Sequence, residues 1–193
     1  MRVETLTDAA LDDALDAVAQ LRISVFAAFP YLYDGDLAYE RRYLESYRKS
    51  PRAILVGAFE GDTLVGAATG TPLADHKDDF AQAFAGSGIA LEDVFYCAES
   101  VLLPQWRGHG IGHRFFDLRE DHARTHGFSH CAFCAVIRPD DHPGRPADYR
   151  PLDGFWRKRG YEEMPGVMAQ FSWKDVGDTT ETRKPLQFWI RRL

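Results

Sequence analysis

The run AESVLLPQWRGHGIG, residues 98–112, carries the residue types and spacing best suited to chemistry. An apolar, strand-like stretch leads into Pro104 and a turn with glycines at 108, 110 and 112, and a helical pattern begins at once. Glycines at alternate positions strip the side chains from a turn whose backbone N–H groups can then point at a ligand. Where such a turn opens a helix it forms an anion site, reinforced by the helix dipole, and a pyrophosphate is the ligand that suits it. A dinucleotide fingerprint would need its third glycine at position 113, which is His113. A phosphate-binding P-loop would need Gly-Lys-Ser/Thr, and Gly110 is followed by Ile111. What remains is QxxGxG, read as Gln105, Gly108 and Gly110 with Arg107 beside them.

In its strand-to-helix setting, Pro104 followed by Arg107-Gly108-x-Gly110-Ile111-Gly112 and an amphipathic helix resembles the coenzyme A motif of the GNAT superfamily of acetyl-CoA-dependent N-acetyltransferases. The resemblance implies acetyl-CoA as co-substrate, a primary amine as acceptor, direct attack within a ternary complex, and no metal. It further implies that backbone groups of Val101, Leu102 and Leu103 pair with the pantetheine arm as if it were an added strand. The turn from Arg107 through Gly108, His109, Gly110, Ile111 and Gly112 to His113 would cradle the pyrophosphate, and an N–H near Leu102 would meet the oxyanion. Arg107 either adds charge there or holds the outside of the turn, and His109 faces solvent or the phosphates.

Acetyl transfer to an amine needs a held thioester, a deprotonated amine, a stabilised oxyanion and a proton for the leaving thiolate. Glu99 is the candidate base, as the carboxylate inside the strand that leads to the coenzyme motif; Glu92 and Asp93 upstream are the alternatives. The general acid departs from the family pattern. Members commonly carry a Tyr four residues before a Gly-Phe, and here Trp156 precedes Gly160-Tyr161, against the coenzyme but with an indole N–H that is no useful acid. Tyr149, seven residues earlier, supplies a phenol from a shifted position, or else it is a loop tyrosine packed on Pro151 and water protonates the thiolate. The missing Tyr also keeps open a non-catalytic acyl-CoA-binding or sensing module, and a longer acyl group remains a further alternative. Tyr31 and Tyr33, in PYLYDGD, are expected to wall the acceptor, with Asp34, Asp140 or Asp141 attracting its ammonium.

The elements that must position these residues follow from periodicity. Val3 to Thr5 reads as a short strand. Asp8 can cap a helix to about Phe26 with Leu11, Leu15, Val18 and Leu21 as its stripe, and a second helix spans Leu37 to Lys49. Strands at 53–59 and 63–71 join through Glu60-Gly61-Asp62. A short helix at 78–85 precedes one strand from Val94 to Leu103. The next helix turns Ile111, Phe115, Leu118 and His122 inward and stops at Gly127, with His122 a hydrogen-bonded core residue. A strand at 130–137, a proline-rich loop from Arg138 to Asp153, a short helix through Phe155 and Trp156, and a hairpin of 167–173 with 186–190 complete the chain. The order β α α β β β α β α β β matches the GNAT order. The fold class expected is α/β, a mixed α+β arrangement: a central, mostly antiparallel sheet with helices on both faces, as one domain over 1–193.

At 193 residues, 45% of them hydrophobic and 13% aromatic, the chain is long and apolar enough to bury a substantial core. Its net charge of −6 gives no long-range attraction to nucleic acid or to an anionic membrane. No run approaches the roughly 20 apolar residues of a membrane span, and no apolar leader precedes the first strand, so the expected location is cytoplasmic. Cys131-x-x-Cys134 lies in a strand, where i and i+3 face opposite sides; buried free thiols are expected rather than zinc. A homodimer through terminal-strand pairing is a possible assembly.

Overall fold

A computed structural model describes residues 1–193, apart from the side chains of Asp8, Ala9 and Ser46. In chain order the elements are β1 (Arg2–Leu6), α1 (Asp8–Phe26), α2 (Leu37–Lys49), β2 (Ile54–Glu60), β3 (Thr63–Pro72), α3 (Lys77–Phe84), β4 (Val94–Tyr96), β5 (Ser100–Leu102), α4 (Ile111–Thr125), β6 (His130–Val136), α5 (Asp153–Lys158), β7 (Glu162–Lys174) and β8 (Glu181–Arg192). The sheet runs β1-β2-β3-β4-β6-β8-β7, with β5 also on β3. Its pairs are antiparallel except β4 with β6. The backbone places the α1 cap at Thr7, and the expected cap at Asp8 falls on a side chain outside the described set.

Alternation along β2 sorts the core. Ile54, Val56 and Ala58 pack with Phe115 and Phe116 of α4 on one face, while Leu55 packs with Val18, Leu21 and Leu44 of α1 and α2 on the other. Along β6, Cys131 joins the α4 side, and Cys134 lies with Phe80 and Phe84 of α3 on the opposite face. Both thiols are free and buried. Helix α4 sits rotated from the expected stripe: Phe116, Arg119 and Glu120 are buried, while Leu118 is only partly so. His122 is half-buried rather than enclosed, and it meets the Arg52 carbonyl at 3.0 Å through Nε2.

The expected continuous strand from Val94 to Leu103 is broken, and the break makes the site. On one side Tyr96 pairs with Thr71, and on the other Ser100 pairs with Ala68. Three residues, Cys97 to Glu99, therefore oppose two, Thr69 and Gly70: a β-bulge, which bends the strand. Gly70 is required here, since a Cβ would lie 2.4 Å from the Phe95 ring. Arg119, 1% exposed, fixes the bulge from α4. Its Nη1 donates to the carbonyls of Thr69 (3.1 Å) and Glu99 (3.0 Å), and its Nη2 donates to Ser100 Oγ (2.8 Å).

Burial holds the imidazoles of His76 and His122 below their ordinary range. A base whose folded pKa is depressed contributes stability that is present above the unfolded value and lost as the pH falls through it. The urea midpoint is accordingly expected to fall between pH 7.5 and 5.5, and to fall less in His122→Gln.

Candidate active site

Parallel strands β4 and β6 are paired from Val94↔His130 to Tyr96↔Ala132, and Cys97 N–H still reaches the Ala132 carbonyl at 2.8 Å. Beyond that point the bulge carries β5 away while β6 continues on β8. A cleft of about 1770 Å³ opens between them.

One wall is the open edge of β5. Thr69 N–H donates to Glu99 O (3.1 Å) and Leu103 N–H to Val65 O (3.0 Å), so the antiparallel alternation commits Glu99, Val101 and Leu103 to β3. The N–H and C=O of Ser100 and Leu102 point the other way, into the cleft. Of the three residues expected to offer backbone groups, Leu102 is thus the one placed to do so, and Ser100 joins it. Val101 is fully buried against α1.

This edge leads to the glycine turn. Gly108 (φ 80°) and Gly110 (φ 79°) are left-handed, and a Cβ at either would meet nothing within 4 Å. Gly110 is the N-cap of α4, with no side chain capping the helix and no acidic residue in its first turn. The N–H groups of Ile111, Gly112 and His113 therefore have no acceptor inside the helix and face the cleft end. Arg107 lies exposed on the rim. His109 does not enter the cleft. Its Nδ1 lies 3.0 Å from the Arg107 carbonyl, and its ring lines a smaller hollow with Met1 and Val3. His113 lines both, with its ring 4.8 Å from Phe155 and Nδ1 accepting from Arg159 at 3.2 Å.

Trp156 stands at the vertex of the split. Its ring meets Phe133, the first β6 residue beyond the last β4 pair, at 4.9 Å and Trp189 at 5.2 Å. Tyr149 lines the same cleft and rests on Phe29 (4.7 Å, edge-on) and under the Arg145 guanidinium (5.2 Å). Partial burial raises its pKa.

Glu99 lies in the bulge, its side chain 8% exposed, within a charged network absent from the sequence reading. Arg22 of α1 pairs with both Glu99 and Glu40 of α2, and Tyr43 Oη donates to Glu99 Oε2 at 3.0 Å. The Arg22 guanidinium also lies over the Tyr43 ring at 4.4 Å. Burial would lower the Arg22 pKa, but Glu99, Tyr43 and Glu40 hold it well above its usual value. Two carboxylates face one guanidinium, so the network carries one surplus negative charge. Burial raises Tyr31, Tyr43, Tyr47 and Tyr96 and pushes Cys134 up to about 12, which keeps all of them protonated. A signal for Arg22 was present in the sequence: it follows Val18 by four and precedes Val25 by three, inside the apolar stripe.

The alternative bases are placed elsewhere. Glu92 and Asp93 are exposed on the turn before β4, at the far end of that strand, and do not line the cleft.

Tyr31 and Tyr33 both line the cleft. They belong to an arch, residues 28–34, hung on the β7–β8 hairpin. Arg138 builds the attachment: Nε donates to Pro30 O (2.8 Å), Nη2 to Tyr31 O (2.7 Å), and Nη1 to Asp175 Oδ2 (2.7 Å). Lys184 completes the cluster 3.1 Å from Asp175, and Tyr31 stacks on Trp173 at 6.0 Å. Asp34 is paired with Lys174 (2.6 Å) and Asp140 with Arg145 (2.7 Å), while Asp141 is exposed and outside the cleft. Among the described residues, no group of three or more His, Cys, Asp or Glu is arranged to hold a metal ion, and no helix is long and apolar enough to cross a membrane.

Solved structures share this architecture. Ribosomal-protein-alanine N-acetyltransferase from Brucella melitensis aligns at TM-score 0.63 and 16% identity, covering 100% of each chain. The yncA protein of Salmonella typhimurium, solved with its cofactor acetyl-CoA, aligns at 0.61 and 12% identity over 100% of this chain and 93% of that one. An aminoglycoside 6'-N-acetyltransferase complexed with coenzyme A aligns at 0.59 and 18% identity over 100% and 97%. At these identities the likeness establishes the fold. A search of curated proteins returns no match. The family model described as Acetyltransferase (GNAT) family matches residues 18–146, two thirds of the chain and the part that holds both the bulge and the glycine turn; the protein belongs to the GNAT acetyltransferase family.

Proposed function

We propose that this protein transfers the acetyl group of acetyl-CoA to a primary amine by direct attack within a ternary complex, as one domain over 1–193. The observation that carries the reading is the open β5 edge leading to a side-chain-free turn at a helix start. Acetyl-CoA fits these groups: Ser100 and Leu102 can pair with the amide-bearing pantetheine arm, and the turn and the α4 N-terminus with the pyrophosphate. It supplies an activated acyl group and a thiolate leaving group. The coenzymes held by two of the fold's neighbours support the assignment.

The chain's own residues supply the rest. The Leu102 N–H faces the developing negative charge on the acyl oxygen. Glu99, with four lone-pair sites of which Arg22 and Tyr43 occupy only part, takes the proton of the amine directly or through water. Tyr149, one of several phenols that line the cleft, protonates the thiolate, since the Trp156 indole cannot. The C-terminal strand β8 is paired on both sides, by β6 and β7, so pairing of the β7 edge between copies takes the place of terminal-strand pairing as the proposed route to a homodimer; the cytosol is the proposed location.

Release of free thiol from acetyl-CoA across an amine panel tests the reading. Coenzyme binding with no turnover on any amine would instead assign an acyl-CoA sensor, the alternative that Trp156 favours. Once an acceptor is in hand, Tyr149→Phe is expected to lower turnover at least about tenfold while leaving coenzyme affinity unchanged. Trp156→Tyr is expected to restore part of that loss in the double variant. Wild-type turnover in Tyr149→Phe would assign the proton to water.

A further inference from the structure

We infer that the acceptor is a monoamine on an apolar aromatic body, with neither a second charge nor a polyhydroxylated frame. The inference rests on the acetyl-transfer reading and extends it to the class of amine. The acceptor end offers one surplus negative charge, in the Glu40–Arg22–Glu99 network, inside a wall of rings that includes Phe26, Phe29, Tyr31 and Tyr43. One ammonium balances that charge, and aromatic faces at the same place attract it further.

The arch has less to give a polar ligand than its length suggests, because four of its carbonyls, those of Ala28, Pro30, Tyr31 and Leu32, are already engaged. The Pro30 carbonyl takes Arg138 Nε, and the Tyr31 carbonyl takes both Arg138 Nη2 and Trp173 Nε1 (3.0 Å). The Leu32 carbonyl takes Val176 N–H, and the Ala28 carbonyl takes Leu32 N–H (3.0 Å). Sugar hydroxyls would lose water there without replacement bonds, and an unpaired buried polar group is costly. A second ammonium fares no better. Asp34, Asp140 and Asp175 already face Lys174, Arg145, and Arg138 with Lys184, and Asp36, Asp148, Glu163 and Glu181, which also line the cleft, are exposed to water, where an ion pair contributes little. An α-carboxylate on the acceptor meets the converse problem, since Arg22 and Arg138 are both committed to carboxylates and Arg107 and Arg150 on the cleft, unpaired among the described residues, are exposed to water.

Calorimetry on the protein saturated with coenzyme A tests this directly, using 2-phenylethylamine, spermidine, kanamycin and phenylalanine. The first is expected to bind at least about tenfold more tightly than any other. Equal or tighter binding of any of the others, or no measurable binding of 2-phenylethylamine, overturns the inference. Thiol release with the same amines separates the two readings: turnover of spermidine or kanamycin would retain acetyl transfer and reject the acceptor class. Arg138→Lys keeps a cation beside Asp175 but cannot serve both arch carbonyls. It is expected to cut 2-phenylethylamine affinity about tenfold and narrow its margin over kanamycin, with coenzyme A affinity unchanged; an unchanged margin would remove the arch from acceptor selection.

Discussion

Gly110→Val is expected to abolish measurable coenzyme A binding, a loss of at least about a hundredfold, in a protein that still folds. Two effects act at this residue and they separate cleanly. The left-handed backbone, φ 79°, costs a β-branched residue roughly 1–2 kcal/mol. The site tolerates that strain in the absence of ligand, because a Cβ there meets no atom within 4 Å. The same empty space is where a phosphate must approach the N–H groups at the start of α4, and the isopropyl group fills it. Gly127→Val is the matched control: φ is 80°, a Cβ again meets nothing, and the residue lies at the other end of α4, away from the cleft. It should lose comparable stability and keep full affinity in calorimetry. Undiminished affinity in Gly110→Val would remove the turn from the coenzyme site and with it the basis for acetyl transfer.

The turn was legible in the sequence because its demands are local: alternate glycines, a proline before them and a helical period after them are read within ten residues. Helices α1 and α2 were legible for the same reason, as were the β2–β3 hairpin and the alternation that sends Cys131 and Cys134 to opposite faces. The bulge was not. VFYCAESVLL has no glycine or proline to mark a break, and the break arises because the first half pairs with β6, distant in sequence, while the second half pairs with β3 alone. That competition also decides which backbone groups of 100–103 face the cleft, so the edge proposed for the coenzyme could be placed in the chain but not phased. The end of the cleft proposed for the acceptor depends still more on distant partners. Arg22, Glu40 and Glu99 come from two helices and a bulge, and Arg138 meets Pro30 and Asp175 across more than a hundred and across thirty-seven residues respectively. Charge buried in an amphipathic helix is visible as an interruption of its stripe; its partner is not.

The network around Glu99 determines which variant can test its role. Arg22→Met would leave Glu40 and Glu99 buried together without a cation, and breaking a buried ion pair from one side costs about 3–5 kcal/mol. Loss of activity in such a protein would say nothing about chemistry. Glu99→Gln removes the surplus charge instead and leaves Arg22 paired with Glu40, while the amide oxygen still accepts from Tyr43. No buried charge is orphaned, so the fold and the coenzyme affinity should stay near wild type. Turnover is expected to drop roughly 10²-fold or more, the scale of a lost general base, because the acceptor ammonium loses the carboxylate that takes its proton, and Glu40 stays paired with Arg22. Raising the pH enlarges the pool of free amine and should narrow the deficit. A surplus charge that merely attracts the ammonium predicts a different split, a higher KM for the amine with kcat retained. Turnover equal to wild type at every pH would leave proton removal to water and reduce Glu99 to a partner that holds Arg22 in place.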